Sequence, residues 1–208
     1  MIQARRLRTA LILDDEEERR TDMSRGLARH EVMSQEASTL AEAIRLMRSS
    51  SPDLILCDMV LCDPPGAANP ALRGYLAVCY ALERHPGSVV VQASTLRRWV
   101  HPGAVLANWR VQEVADIVCG FEGLRVPPGG GSGCPWKMLR EVETAPPGER
   151  AGAVAVLLGL PVMEELGGCP ELGPPLEMLE QAAHDGRDWE RALAAVRAAL
   201  FPGVDDGR

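Results

Sequence analysis

The sequence predicts an α/β protein: a five-stranded, parallel, doubly wound sheet over residues 1–124, then a small all-α region over residues 135–208. Three observations predict it. Short aliphatic runs alternate with stretches of helical periodicity through the first half, as expected of βαβ units. The run Asp53–Asp58 (Asp-Leu-Ile-Leu-Cys-Asp) is apolar without alternation, as a strand covered on both faces requires. Beyond a glycine- and proline-rich linker at residues 125–134, only helical patterns remain.

Taken in order, Thr9–Leu13 is a compact aliphatic first strand. Glu17–Arg29 reads as the first helix, with Met23 and Leu27 on one face, and Glu31–Gln35 as a short second strand. Ser38 and Thr39 offer an N-cap to Leu40–Arg48, and Glu42, three residues after Thr39, completes a capping box. After the Asp53–Asp58 strand comes a proline-rich loop, Asp63–Pro70, and then a helix at Ala71–Arg84 stopped by His85-Pro86-Gly87. Ser88–Ala93 is the fourth strand. Ser94–Gly103 has room for little more than a turn or two of helix, Ala104–Trp109 is the fifth strand, and Val111–Phe121 the last helix of this half. The second half reads as helices at 135–143, 149–159, 161–166, 175–184 and 188–200. In the last of these, Trp189, Leu193, Val196 and Leu200 share a face, and Asp185-Gly186-Arg187 joins the final two as a hairpin.

Composition narrows the function. With 46% hydrophobic and 25% charged residues the chain can bury a core, but 4% aromatics argues against stacking on single-stranded nucleic acid. Net charge is −7, and the region from Leu124 onward, with 8 basic and 13 acidic residues, is the more acidic half. A nucleic-acid-binding module usually carries a basic footprint, and none is visible. The stretch Glu149–Leu166 resembles a helix-turn-helix faintly, but Glu164 and Glu165 fall where phosphate would approach. The helical region is therefore expected to be a protein-interaction module, a homodimer contact included. Cys57, Cys62, Cys79, Cys119, Cys134 and Cys169 show no metal-ligand spacing. The Ala10–Leu13 run is too short for a signal-peptide core or a membrane span, so a cytoplasmic protein is expected. Glycines 129–131 precede no Gly-Lys-Ser/Thr ending, which removes a phosphate-cradling loop from consideration.

The chemistry lies in three acids. Parallel sheets collect reactive groups at the carboxyl ends of their strands, where Asp14 and Asp15 close the first strand and Asp58 the third. A carboxylate cluster is costly without a cation, and hard oxygen donors suit Mg²⁺. One such carboxylate can then attack phosphorus. Asp14-Asp15 alone would more simply be an acidic helix start, and Asp58 at the end of so strong a strand shifts the balance toward a pocket.

At these residues the chain resembles a bacterial response-regulator receiver domain, the CheY-like fold, over roughly residues 7–122. Leu-Ile-Leu-Asp-Asp-Glu at 11–16 resembles its opening strand and acidic pair, and Asp53–Asp58 its phosphoacceptor strand. Gly74-Tyr-Leu-Ala-Val-Cys, His85-Pro86, the Ser88–Ala93 strand and Gly103-Ala104 follow in the family's order. The resemblance implies that Asp58 is the phosphoacceptor, with Asp14, Asp15 and the Met59 backbone carbonyl holding Mg²⁺. It implies a switch hydroxyl at Ser94, or Ala93 if the frame shifts by one, and puts Arg110 at the family's lysine. It further implies a histidine kinase or phosphotransfer protein as donor. The chain departs from the family at Arg110, which is not interchangeable with lysine at a tight phosphate site. Ala107 replaces the switch aromatic, Cys62 a proline, the fourth helix is truncated, and the Asp58–Gly74 connection is long. These departures keep a second reading open, a phosphorylation-independent pseudo-receiver that works as an adaptor. A third, a phosphatase of the haloacid-dehalogenase type, needs an acid two residues after Asp58, where this chain has Val60.

Overall fold

The computed structural model describes residues 7–62, 70–93, 104–107, 134–166, 169–202 and 204. The chain separates into two compact units, Met1–Gly131 and Ser132–Arg208. Among the described residues no helix is long and apolar enough to cross a membrane.

The first unit is α/β with a parallel sheet. Its elements run β1 (Thr9–Leu13), α1 (Glu17–Ala28), β2 (Met33–Ala37), α2 (Leu40–Ser49), β3 (Leu54–Asp58), α3 (Arg73–Arg84), β4 (Val89–Ala93) and β5 (Val105–Ala107). Four strands of five residues form the body of the sheet. The three-residue β5 pairs at one edge, giving the order β2-β1-β3-β4-β5. β3 is central, flanked by β1 and β4, and from Ala10 and Leu54 onward every residue of β1 and β3 is fully or almost fully buried. Side chains alternate across the sheet. Ala10, Ile12, Leu54, Leu56, Val89 and Val91 pack with Met23 and Leu27 of α1 in one core cluster. Leu11, Leu13, Ile55 and Cys57 have the opposite parity, and α2 and α3 pack on the sheet as well.

Local chemistry sets the ends of these elements. Thr39 caps α2 by accepting from the Glu42 amide at 3.2 Å, while the Glu42 carboxylate accepts from the Ser38 amide at 2.9 Å. The capping box therefore closes on Ser38, one residue before the cap. Asp53, expected as the first strand residue, stands just before β3, and its carboxylate accepts from the Arg8 and Thr9 amides at 3.0 and 3.1 Å, clamping the start of β1 to that of β3. β2 lies two residues later than the sequence pattern placed it. Glu31, at φ 60°, turns the chain out of α1 and delays extension, and this edge strand leaves Met33 71% exposed, so burial gives its sequence no clear period. The fifth strand is described only over residues 104–107. The Val111–Phe121 helix and the 125–133 part of the linker lie outside the described residues.

The described elements of the second unit are all helical: α4 (Pro135–Thr144), a 3₁₀ turn (Pro147–Glu149), α5 (Arg150–Leu158), α6 (Pro161–Leu166), α7 (Gly173–Asp185) and α8 (Trp189–Leu200). Trp136 and Phe201 meet edge to face with centroids 4.7 Å apart, and the Trp189, Leu193, Val196 and Leu200 stripe is buried. The Arg150 guanidinium lies 4.4 Å over the Trp189 ring, and Arg197 pairs with Glu143. Gly186, at φ 73°, ends α7 in the left-handed conformation and lets α8 turn back along it.

One glycine of the first unit is fixed by space. α3 passes so close to the end of β3 that a Cβ on Gly74 would overlap the Asp58 carbonyl oxygen. Gly74→Ala is expected to lower stability by roughly 1–3 kcal/mol in urea unfolding, the usual cost of overpacking against backbone. An unchanged midpoint would contradict that close approach.

Candidate functional site

Strand register builds the pocket. β1 and β3 pair Leu13 with Cys57, and one more step along both chains brings Asp14 beside Asp58. Both aspartates have the parity of Ile12 and Leu56, whose face packs on α1. The ligand oxygens of Asp14, Asp15 and Asp58 all lie within 4.8 Å of one another.

Each carboxylate has a distinct environment. Asp14 is fully buried; its Oδ1 accepts from the Glu16 amide at 2.7 Å, and its Oδ2 has no hydrogen-bond partner. Asp15 accepts from the Cys62 amide at 3.2 Å, which ties the loop after β3 to the end of β1. Asp58, 9% exposed, accepts from the Val60 amide at a long 3.4 Å. Burial pushes the Asp14 pKa from 3.8 up to about 7, with the nearby Asp58 and Asp15 charges adding to it and Arg19 opposing. Burial likewise raises Asp58 to about 6, against the backbone amides of Val60 and Met59 and against Arg19.

Arg19 was not anticipated from the sequence. It stands in the first turn of α1 with Nη1 3.5 Å from Asp58 Oδ2 and 3.9 Å from Asp14 Oδ2, and Nη2 3.0 Å from Glu16 Oε1. In sequence it is the first of two arginines that follow the acidic run 14–18, four residues past Asp15, and only the packing of α1 singles it out from Arg20. The Cys62 amide carried no sequence signal. Of the other candidates, Met59 is buried, and the Gln92 amide donates to its sulfur. Ala93 is the register partner of Asp58. Ser94 and Arg110 lie outside the described residues. Burial and the neighbouring Asp58 push the Cys57 thiol up to about 12, and desolvation with Asp15 raises Cys62, so neither is an activated nucleophile.

The donor set fits a divalent ion. Three carboxylates supply hard oxygens, and a buried oxygen with no hydrogen bond is costly unless something else satisfies it. One guanidinium brings a single charge at 3.5–3.9 Å and makes no hydrogen bond to Asp14 Oδ2.

No family model and no curated protein matches the chain. Among solved structures it is similar to response-regulator receiver domains, at low identity and over about half its length. The response regulator TrrA from Thermotoga maritima, in complex with Mg²⁺-BeF, is 18% identical with a TM-score of 0.43, covering 55% of this chain and 99% of that one. NtrX from Brucella abortus, in complex with ATP, is 16% identical with a TM-score of 0.44, covering 64% and 33%. A Burkholderia pseudomallei response regulator with a phosphorylated aspartic acid, calcium ion and citrate is 16% identical with a TM-score of 0.42, covering 73% and 90%.

The two raised carboxylates make a pH prediction for the metal-free protein. Between the ordinary 3.8 and about 7, the folded state holds protons that the unfolded chain has released, so stability falls as pH rises through that window. His85, which burial lowers from 6.5, contributes the opposite slope. The carboxylate share is therefore read as a difference between variants. In chelator, Asp14→Asn should be more stable than wild type at about pH 7.5, by on the order of 1–3 kcal/mol, with the gap closing toward about pH 4. A variant less stable than wild type at the higher pH would contradict it.

Proposed function

We propose that this chain is a response-regulator-like signalling protein of the cytoplasm, with Asp58 as phosphoacceptor in a Mg²⁺-binding pocket and output through protein contacts of the 135–208 helices. The observation that carries the reading is the convergence of Asp14, Asp15 and Asp58 at one end of the sheet around a buried oxygen without a hydrogen bond. Asp14, Asp15, Asp58 and the Met59 backbone carbonyl would hold the ion. When bound, Mg²⁺ supplies the positive charge that lets an anionic phosphoryl group enter an acidic pocket. An Asp58 carboxylate oxygen attacks phosphorus, the donor's bond to phosphorus breaks with its electron pair leaving on the donor, and an acyl phosphate forms. With a pKa of about 6, Asp58 is mostly ionised at neutral pH, as a nucleophile must be. Arg110 would pair with the phosphoryl oxygens and Ser94 would report the modification. The donor would be a histidine kinase or a phosphotransfer protein.

Incubation with acetyl phosphate and Mg²⁺ should add about 80 Da to the intact chain, and Asp58→Asn should abolish the gain. An unchanged wild-type mass would remove the phosphoacceptor role.

Arg19 favours a second reading, a pseudo-receiver whose pocket is neutralised from within and never takes phosphate. On that reading a captured partner should survive Asp58→Ala and be lost when residues 135–208 are deleted. Loss on Asp58→Ala would count against it.

A further inference from the structure

We infer that Arg19 is a tethered cation that competes with a divalent ion for the Asp14/Asp15/Asp58 pocket, so that metal enters by exchange with the guanidinium. This rests on the reading of the pocket as a metal site.

The geometry of the fork is the first support. One nitrogen of Arg19 lies 3.5 Å from Asp58 Oδ2 and 3.9 Å from Asp14 Oδ2, facing two of the three carboxylates that would ligate the ion. The other holds Glu16 at 3.0 Å, outside the cluster. Arg19 is 42% exposed and Glu16 56% exposed, so the guanidinium can leave the pocket toward solvent while keeping one of its ion pairs. The pocket thus has both an occupant and a place for that occupant to go.

Charge is the second support. A guanidinium does not deprotonate at working pH, so its repulsion of an incoming cation is relieved only by movement. A lysine or histidine could instead lose its proton.

The third support is how poorly Arg19 serves the buried end of the cluster. Asp14 Oδ2 is sealed from water, lies 3.9 Å from the nearest guanidinium nitrogen, and has no hydrogen bond. A cation bound directly to carboxylate oxygens would satisfy that atom, whereas Arg19 neutralises mainly Asp58. Arg19 therefore holds the pocket without completing it, which is what exchange requires.

Calorimetric titration of the full chain with Mg²⁺ tests this with three proteins. Arg19→Gln should bind Mg²⁺ about ten-fold or more tightly than wild type, since it removes a like charge at close range. Arg25→Gln removes the same charge from the same helix, but Arg25 is 73% exposed and paired with Asp22, so its effect should stay within about two-fold at physiological salt. The gap between the two variants should persist in high salt, because contact exclusion is screened little. Equal affinities for wild type and Arg19→Gln would overturn the exchange while leaving the pocket a metal site. Weaker binding by Arg19→Gln would overturn it too and make Arg19 a positioning residue. If none of the three proteins takes up Mg²⁺, the exchange and the metal reading fall together.

Discussion

Three carboxylates within 4.8 Å of one another, one of them fully buried, are the constraint from which the rest of the first unit follows. Left alone, such a cluster repels itself, and burial makes each charge dearer still. The protein answers with whatever cation or proton it can recruit. Raised pKa values at Asp14 and Asp58 and the inward reach of Arg19 are two responses to one problem. A third, a divalent ion, is the one for which hard oxygen donors are suited.

The surrounding fold keeps the cluster from relaxing apart. Asp53 ties the starts of β1 and β3 together through the Arg8 and Thr9 amides, fixing the register that sets Asp14 beside Asp58 at the other end. The close approach of Gly74 leaves the Asp58 backbone no room to move toward α3. Asp15 accepts from the Cys62 amide, so the loop leaving β3 is anchored to the end of β1. These contacts cost the sheet little, since each also satisfies a backbone amide or fills space.

Much of this was legible beforehand because burial leaves a strong imprint on sequence. The continuous apolar run Leu54–Cys57 fits a strand covered on both faces, and the acids following Leu13 and ending β3 could be placed at one end of the sheet by topology. β2 was less legible: it is an edge strand with an exposed Met33, and the left-handed Glu31 that delays it has no turn glycine to announce it. Asp53 looked like strand and acts as a clamp, because a side-chain acceptor for a distant segment's amides has no local pattern. Arg19 went unseen for a related reason. In sequence it is one more charge on an exposed-looking helix start, and only the packing of α1 on the Ile12 and Leu56 face turns it inward. In the helical unit, the Trp189 stripe announced a buried face by its period, whereas the Trp136–Phe201 contact joins distant segments and could not be read from spacing.

The central claim is that one cation-seeking pocket is formed by Asp14, Asp15 and Asp58, and the most direct measurement is anomalous diffraction from crystals of the full chain equilibrated with Mn²⁺. A single strong manganese peak bounded by oxygens of those three side chains is expected. A peak elsewhere, or an empty density map at that position with the carboxylates turned apart, would contradict it.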